Sequence, residues 1–194
     1  MILEGIVTTL NPKGRVHVSP MGPRVDPTIH QLLLRPFAKS QTYRNLVAHG
    51  EGVLHVTDDV ILLARAAIGQ FENVPPHVPA NKIKGFVLND VCRFFEFRVR
   101  SIDDREERVQ IEAEVVHTGR FRDFFGFNRA KNAVVEAAIL ATRTAFLALE
   151  DVDAEFRRLA IIVEKTGGAQ EHSAFALLRD HVDKEIAKRR EGSR

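Results

Sequence analysis

The chain has 194 residues, of which 44% are hydrophobic and 28% charged, the make-up of a folded domain with a real core. Lys and Arg total 28 against 26 Asp and Glu, for a net charge of +2. A balance this even does not suggest a nucleic-acid partner, which calls for a concentrated basic face. The single cysteine, Cys92, excludes an internal disulfide and a cysteine-rich metal site.

No apolar stretch approaches the roughly 20 residues of a membrane helix. Met1-Ile2-Leu3-Glu4-Gly5-Ile6 lacks the basic start of a secretion signal. A cytoplasmic protein without membrane contact is expected. Phe occurs 13 times, Tyr once and Trp never, so aromatic mass serves mainly burial.

The first part of the chain reads as strands and turns. Residues 2–10 are rich in β-branched side chains and end at Asn11-Pro12-Lys13-Gly14, a strong turn signal. Residues 15–19 alternate, so the two runs predict a hairpin, broken at Pro20-Met21-Gly22-Pro23. Residues 28–34 predict a third strand, stopped by Pro36. Residues 40–50 predict a short helix, with Ser40 to cap its first amides and Gly50 to close it. A strand at 53–56 follows, then a helix capped by Thr57-Asp58-Asp59 and closed by Gly69. Pro75, Pro76 and Pro79 make 73–80 an irregular loop. Residues 91–102 and 108–120 form the clearest hairpin, around the polar turn Asp103-Asp104-Arg105-Glu106-Glu107.

Beyond this point the pattern turns helical. Asn128 is placed to cap a long Ala-rich helix reaching about Leu149. Two more helices are expected over 151–165 and from Glu171 to about Arg190, separated by Gly167-Gly168. The first of the three is apolar on most sides, which predicts burial or sharing with a partner subunit. Within it Glu136 is a candidate buried carboxylate, paired with Arg129 or Arg143. The division expected is a β-rich domain over 1–127 and a helical segment over 128–194.

Several chemistries are missing. There is no Gly-x-Gly-x-x-Gly after a strand, no Walker A sequence and no His-Glu-x-x-His. The eight histidines are scattered, and His17 and His55 fit strand positions as hydrogen-bonded residues better than as metal ligands. Cys92 falls on an alternating strand and reads as a small core residue.

Three segments could hold a ligand. Around the predicted helix start, Arg35 and Lys39 precede Ser40, Thr42 and Asn45. Free helix amides, hydroxyls and a planar guanidinium are the equipment for a phosphate monoester. An ordinary Ser cap with solvated basic neighbours would look the same, and the residues alone leave both readings open. The second segment is Arg120-Phe121-Arg122-Asp123-Phe124-Phe125-Gly126-Phe127-Asn128-Arg129-Ala130-Lys131. It could grip an aromatic ring bearing an anion; alternatively its Phe residues dock the long helix on the sheet. Asn128 and Arg129 share a helix start and stay candidates. The third is Ser19-Pro20-Met21-Gly22, where Gly22 would let a ligand approach the backbone and Met21 would pack on a flat ring; a plain turn is the alternative.

The order Pro20-Met21-Gly22, Arg35-Pro36-Phe37, Ser40-x-Thr42-Tyr43-x-Asn45-Leu46 and Thr57-Asp58-Asp59 resembles the DUF447 family, as do Gly126-Phe127-Asn128-Arg129-Ala130 and the Ala-rich helix with Glu136 and Thr142-Arg143. The resemblance covers most of the chain. It implies an α+β fold: a mainly antiparallel split β-barrel, flavin-reductase-like and FMN-binding, with a C-terminal helical segment. It further implies a homodimer with FMN at the subunit interface. The phosphate would lie at Ser40, Thr42 and Asn45, supported by Arg35 and Lys39, and the ring near Met21 and Gly22. The expected function is that of a flavoredoxin-like protein, an FMN-dependent oxidoreductase of unspecified substrate. The alternatives are a non-catalytic carrier for a deazaflavin or related cofactor and a ligand-free dimeric scaffold. No titratable residue is marked out as a catalytic acid or base.

Overall fold

The computed structural model of the chain describes residues 1–192. In chain order the elements are β1 (Gly5–Leu10), β2 (Val16–Met21), β3 (Arg24–Val25), β4 (Gln31–Leu34), α1 (Gln41–His49), β5 (Glu51–Val56), α2 (Val60–Ile68), β6 (His77–Pro79), β7 (Phe86–Leu88), β8 (Arg93–Asp103), β9 (Gln110–Arg120), α3 (Arg129–Ala141), α4 (Leu149–Thr166) and α5 (Ala169–Gly192). Seven strands make one sheet in the order β2-β1-β5-β8-β9-β4-β3, and β6 and β7 form a two-stranded ribbon. Every pairing is antiparallel. The fold is α+β, a mainly antiparallel split barrel followed by helices.

Two compact units result. One comprises Met1–Thr57 and Phe71–Phe124; the other comprises Asp58–Gln70 and the chain from Phe125 onward. The first holds the sheet. Its main core joins Val7, Leu54, Phe95, Phe97 and Ile111 to Leu46 of α1. Val53, Val87 and Phe94 form a smaller cluster, on which Ala80 and Ile83 pack. Phe94, Phe95, Glu96 and Phe97 are therefore all buried, and β8 shows no polar face over this stretch. Glu96 keeps its charge satisfied there by accepting the N–H groups of Asn81 (2.8 Å) and Lys82 (2.7 Å).

His55 ties three strands together. Its Nδ1–H donates to the Ile6 carbonyl and its Nε2 accepts the Leu88 N–H, both at 3.1 Å. These partners fix the neutral tautomer. Burial pushes its pKa down to about 4, against the hydrogen bond to Ile6. The strand-histidine reading is the one observed.

The second unit packs α2, α3, α4 and α5 on one another. Its core includes Leu62, Val134, Phe156, Leu159, Leu178 and Val182. Asp59 caps α2 by accepting from Ile61 and Leu62 N–H.

Several sequence expectations are corrected. The second strand runs through Pro20, opposite Ile6, to Met21; β2 is a sheet edge, where a missing N–H is tolerated. The third strand starts at Gln31, because Asp26 gathers the N–H groups of Thr28, His30 and Gln31 into a turn. The Pro-rich loop contains β6, paired with a strand that the pattern did not reveal. The first C-terminal helix stops at Ala141, eight residues early. The turn that follows is held from far along the chain, since Arg189 donates to the carbonyls of Thr144 and Leu147. Glu136 and Arg143 are exposed, so Glu136 is no buried carboxylate.

Two measurements check this account. Phe97 is fully buried, and Phe97→Ala is expected to destabilise the protein by about 3–5 kcal/mol, read as a lower urea midpoint. His55 takes up its proton near pH 4 when folded and near 6.5 when unfolded. The unfolded chain is thus protonated first as pH falls. Stability should drop from pH 6.5 towards 4, with a contribution of up to about 1.4 kcal/mol per pH unit from this group. The His55→Gln chain should show a shallower slope in the same window.

Candidate functional site

The helix α1 starts where its sequence predicts. Ser40 is extended (φ −73°, ψ 153°) and its Oγ accepts the Tyr43 N–H at 3.1 Å. Gly50 closes the helix at φ 64°, the left-handed conformation that favours glycine. With Tyr43 N–H taken by Ser40, the first amides of the helix, Gln41 and Thr42, have no intrahelical carbonyl to bond.

A relay of hydrogen bonds fixes this corner to the sheet. Arg44 donates to the Lys39 carbonyl (2.7 Å) and to Gln41 Oε1 (2.9 Å). Gln41 Nε2 donates to Asn45 Oδ1 (2.6 Å), and Asn45 Nδ2 donates to Thr9 Oγ1 on β1 (2.9 Å). Asn45 is completely buried. Thr42 is also buried, and its Oγ1 lies 2.7 Å from Ser19 Oγ on β2. Two hydroxyls sharing one hydrogen bond use one proton between them. The other remains for a further acceptor.

The corner therefore unites Ser40, Thr42 and Asn45 on one helix, with Lys39 immediately before it. Lys39 is exposed and Arg35 half-buried. The Arg35 carbonyl accepts from Arg108, whose guanidinium lies 3.9 Å above the Phe37 ring. Burial, and then the Arg44 charge, push the His17 imidazole below its usual range, which leaves it neutral at neutral pH. The Tyr43 hydroxyl donates to Asp104 (2.9 Å), and that bond raises its pKa. Met21 ends β2 and packs against the main core. A Cβ at Gly22 would stand 2.9 Å from Glu4 Oε1 and 3.0 Å from Ile2 Cγ2, side-chain atoms that would have to shift.

Sequence reasoning missed the relay residues Gln41 and Arg44 and the pairing of Ser19 with Thr42. Spacing could have exposed the first two, because Gln41, Arg44 and Asn45 are helical neighbours at three and four residues. The Ser19 contact spans 23 residues and has no local signature.

Asn128 and Arg129 belong to the second compact unit. Asn128 Oδ1 accepts the Lys131 N–H (3.0 Å) and its Nδ2 donates to the Thr166 carbonyl (3.2 Å). One end of that amide thus caps the start of α3, and the other ties it to the last residue of α4. Arg129 is exposed. Lys131 Nζ is held by Glu171 Oε1 and by the Asp58 carbonyl, each at 2.8 Å. The neighbouring Phe residues do not act as buried anchors: Phe125 is 75% exposed and Phe127 wholly so. Among the described residues, no three His, Cys, Asp or Glu side chains assemble as a metal-binding group, and no helix is long and apolar enough to cross a membrane.

Comparison with known proteins now decides the family. Residues 3–122 match the model of the N-terminal domain of DUF447, a protein family of unknown function, and residues 128–180 match a second DUF447 model. The chain belongs to the DUF447 family. A solved structure of an FMN-bound DUF447 protein from Methanosarcina mazei is similar to it, with a TM-score of 0.80 and 22% identity over 93% of this chain and 94% of that one. The flavoredoxin of Desulfovibrio vulgaris (Miyazaki F) has a TM-score of 0.54 and 12% identity, over 62% of this chain and 70% of its own. The styrene monooxygenase flavin reductase of Pseudomonas putida S12 has a TM-score of 0.52 and 13% identity, over 62% and 82%. At these identities the likeness establishes the fold, which is flavin-reductase-like. No curated protein matches the sequence.

The relay gives the corner a measurable stiffness. Asn45→Ala strips buried partners from Thr9 and Gln41, and a loss of about 1–3 kcal/mol is expected in urea unfolding. Ser40→Ala, which removes only the cap, should cost about 1 kcal/mol.

Proposed function

We propose that this DUF447 protein binds FMN and uses it as a flavin-dependent oxidoreductase. The observation that carries the reading is the start of α1, where the capping Ser40 hydroxyl and the Ser19–Thr42 hydroxyl pair come together at a helix N-terminus. That donor set suits a phosphate monoester, because the helix start carries partial positive charge and each donor is fixed in advance. Lys39 and Arg35 would add charge at the same corner. Asn45 would orient the helix, since its amide is already engaged. Met21 and Gly22, at the end of the strand that carries Ser19, would lie along the ring. The FMN held by the Methanosarcina relative, with the same fold across nearly the whole chain, supports the choice of ligand.

Bound FMN supplies reversible electron transfer through its ring system, while the protein contributes binding, orientation and electrostatics. A homodimer is part of the proposal: Phe146 and Ile161 of the helical unit leave apolar surface exposed, as a subunit contact would require. The same reading puts the protein in the cytoplasm.

The visible spectrum of the purified protein is the first test. Flavin absorbance, with FMN released on denaturation, is expected. The Ser40→Ala/Thr42→Ala double variant should bind FMN at least tenfold more weakly, about 1.4 kcal/mol, with its circular dichroism retained. Unchanged affinity would remove the phosphate from this corner. A protein that takes up FMN but is reduced by no nicotinamide donor would be a carrier. One that takes up no FMN would be a deazaflavin carrier or a ligand-free scaffold.

A further inference from the structure

The first compact unit has a cavity of about 570 Å³ at one end of β5, β8 and β9. Its walls include Val56, Cys92, Arg93, Arg120, Arg122 and Phe124. The register explains the cluster. Val56 stands opposite Arg93, and Arg93 stands opposite Arg120; directly opposed residues share a sheet face. Two guanidinium groups thus leave adjacent strands at one level, and Arg122 follows just past the end of β9.

The three arginines are held differently. Arg122 donates to Asp90 Oδ1 (3.0 Å), to Cys92 Sγ (3.2 Å) and to the Asp123 carbonyl (3.3 Å). Arg120 pairs with Asp123. Arg93 lies 5.1 Å from the centre of the Phe95 ring and has no carboxylate at ion-pair distance among the described residues. Asp123, itself in the wall, offsets Arg120, and Arg93 is the wall's arginine without a carboxylate partner among the described residues. Like charges opposed across a strand pair are destabilising. An oxyanion in the cavity would relieve that repulsion and find guanidinium donors already oriented, two of them by their own partners.

We propose that this cavity is an anion subsite, separate from the α1 corner, for the carboxylate or phosphate of a small organic molecule. The corner is built on β1, β2 and α1, and the cavity on β5, β8 and β9. β1 and β5 are neighbours, but Thr8, beside the corner's Thr9, stands opposite Val53, three residues short of the cavity's Val56, about 10 Å along the strand. Arg93 is the principal ligand, and Arg120 and Arg122 complete the positive wall. The subsite does not depend on FMN occupying the corner.

The test is calorimetric titration at constant ionic strength, with inorganic phosphate and with benzoate as probes. It is run on the protein as purified and after loading with FMN. One saturable site is expected for at least one probe in both forms. Phosphate alone would identify a phosphate ester as the source, and benzoate alone an aromatic carboxylate. Arg93→Gln should weaken the probe at least tenfold and leave the FMN titration unchanged. Arg93→Lys should recover part of the loss. Ser40→Ala/Thr42→Ala should leave probe binding intact. The subsite is overturned if neither probe saturates, if Arg93→Gln binds like the parent, or if FMN displaces the probe. It is equally overturned if the probe is lost in Ser40→Ala/Thr42→Ala and kept in Arg93→Gln. Loss of FMN binding alone would instead count against the flavin reading.

Discussion

A buried amide holds the first helix to the sheet. Asn45 receives a hydrogen bond from Gln41 on its own helix and gives one to Thr9 on β1, with no exposure to water. An unpaired amide at that depth would be strongly unfavourable, so the two bonds permit one seating of α1 and disfavour its neighbours. Everything proposed at the corner follows from this seating. It brings Thr42 within reach of Ser19. Arg44 extends the relay to the surface by closing the Lys39 carbonyl and the Gln41 amide.

The elements that sequence revealed are those whose causes are local. Ser40 with Gly50, Asp59 with Gly69, and Asn128 each act on residues two to four positions away, and a short pattern records them. The hairpin of β1 with β2 and that of β8 with β9 were equally plain, because turn chemistry and alternation coincide there. What escaped depends on distant partners. Pro20 looked like a strand end because nothing local says that β2 lies at the edge of the sheet. The helix ending at Ala141 looked continuous because Arg189, which donates to the Thr144 and Leu147 carbonyls of the turn after it, lies over forty residues on. Phe94 and Glu96 alternate with Phe95 and Phe97 as though one face met water; a loop from 81–82 covers that face and satisfies Glu96.

The candidate site was legible in the same uneven way. Its hydroxyls, its helix start and its basic neighbours could be read directly. The distribution of the basic-aromatic segment could not. One stretch of sequence divides at Phe124 between two compact units. Its first half lines a cavity, and its second half closes the start of α3 through Asn128 and Lys131. A contiguous motif thus serves two separate structural ends.

The edges of the main sheet bear on how copies of this protein can meet. One edge is β3, only two residues long. The other is β2, where Pro20 has no N–H to offer. Neither presents the uninterrupted row of donors and acceptors that an incoming strand needs. Association by extending the sheet is therefore obstructed on both sides. Copies that meet at these two edges must rely on side chains, which leaves the choice of partner there to shape and charge.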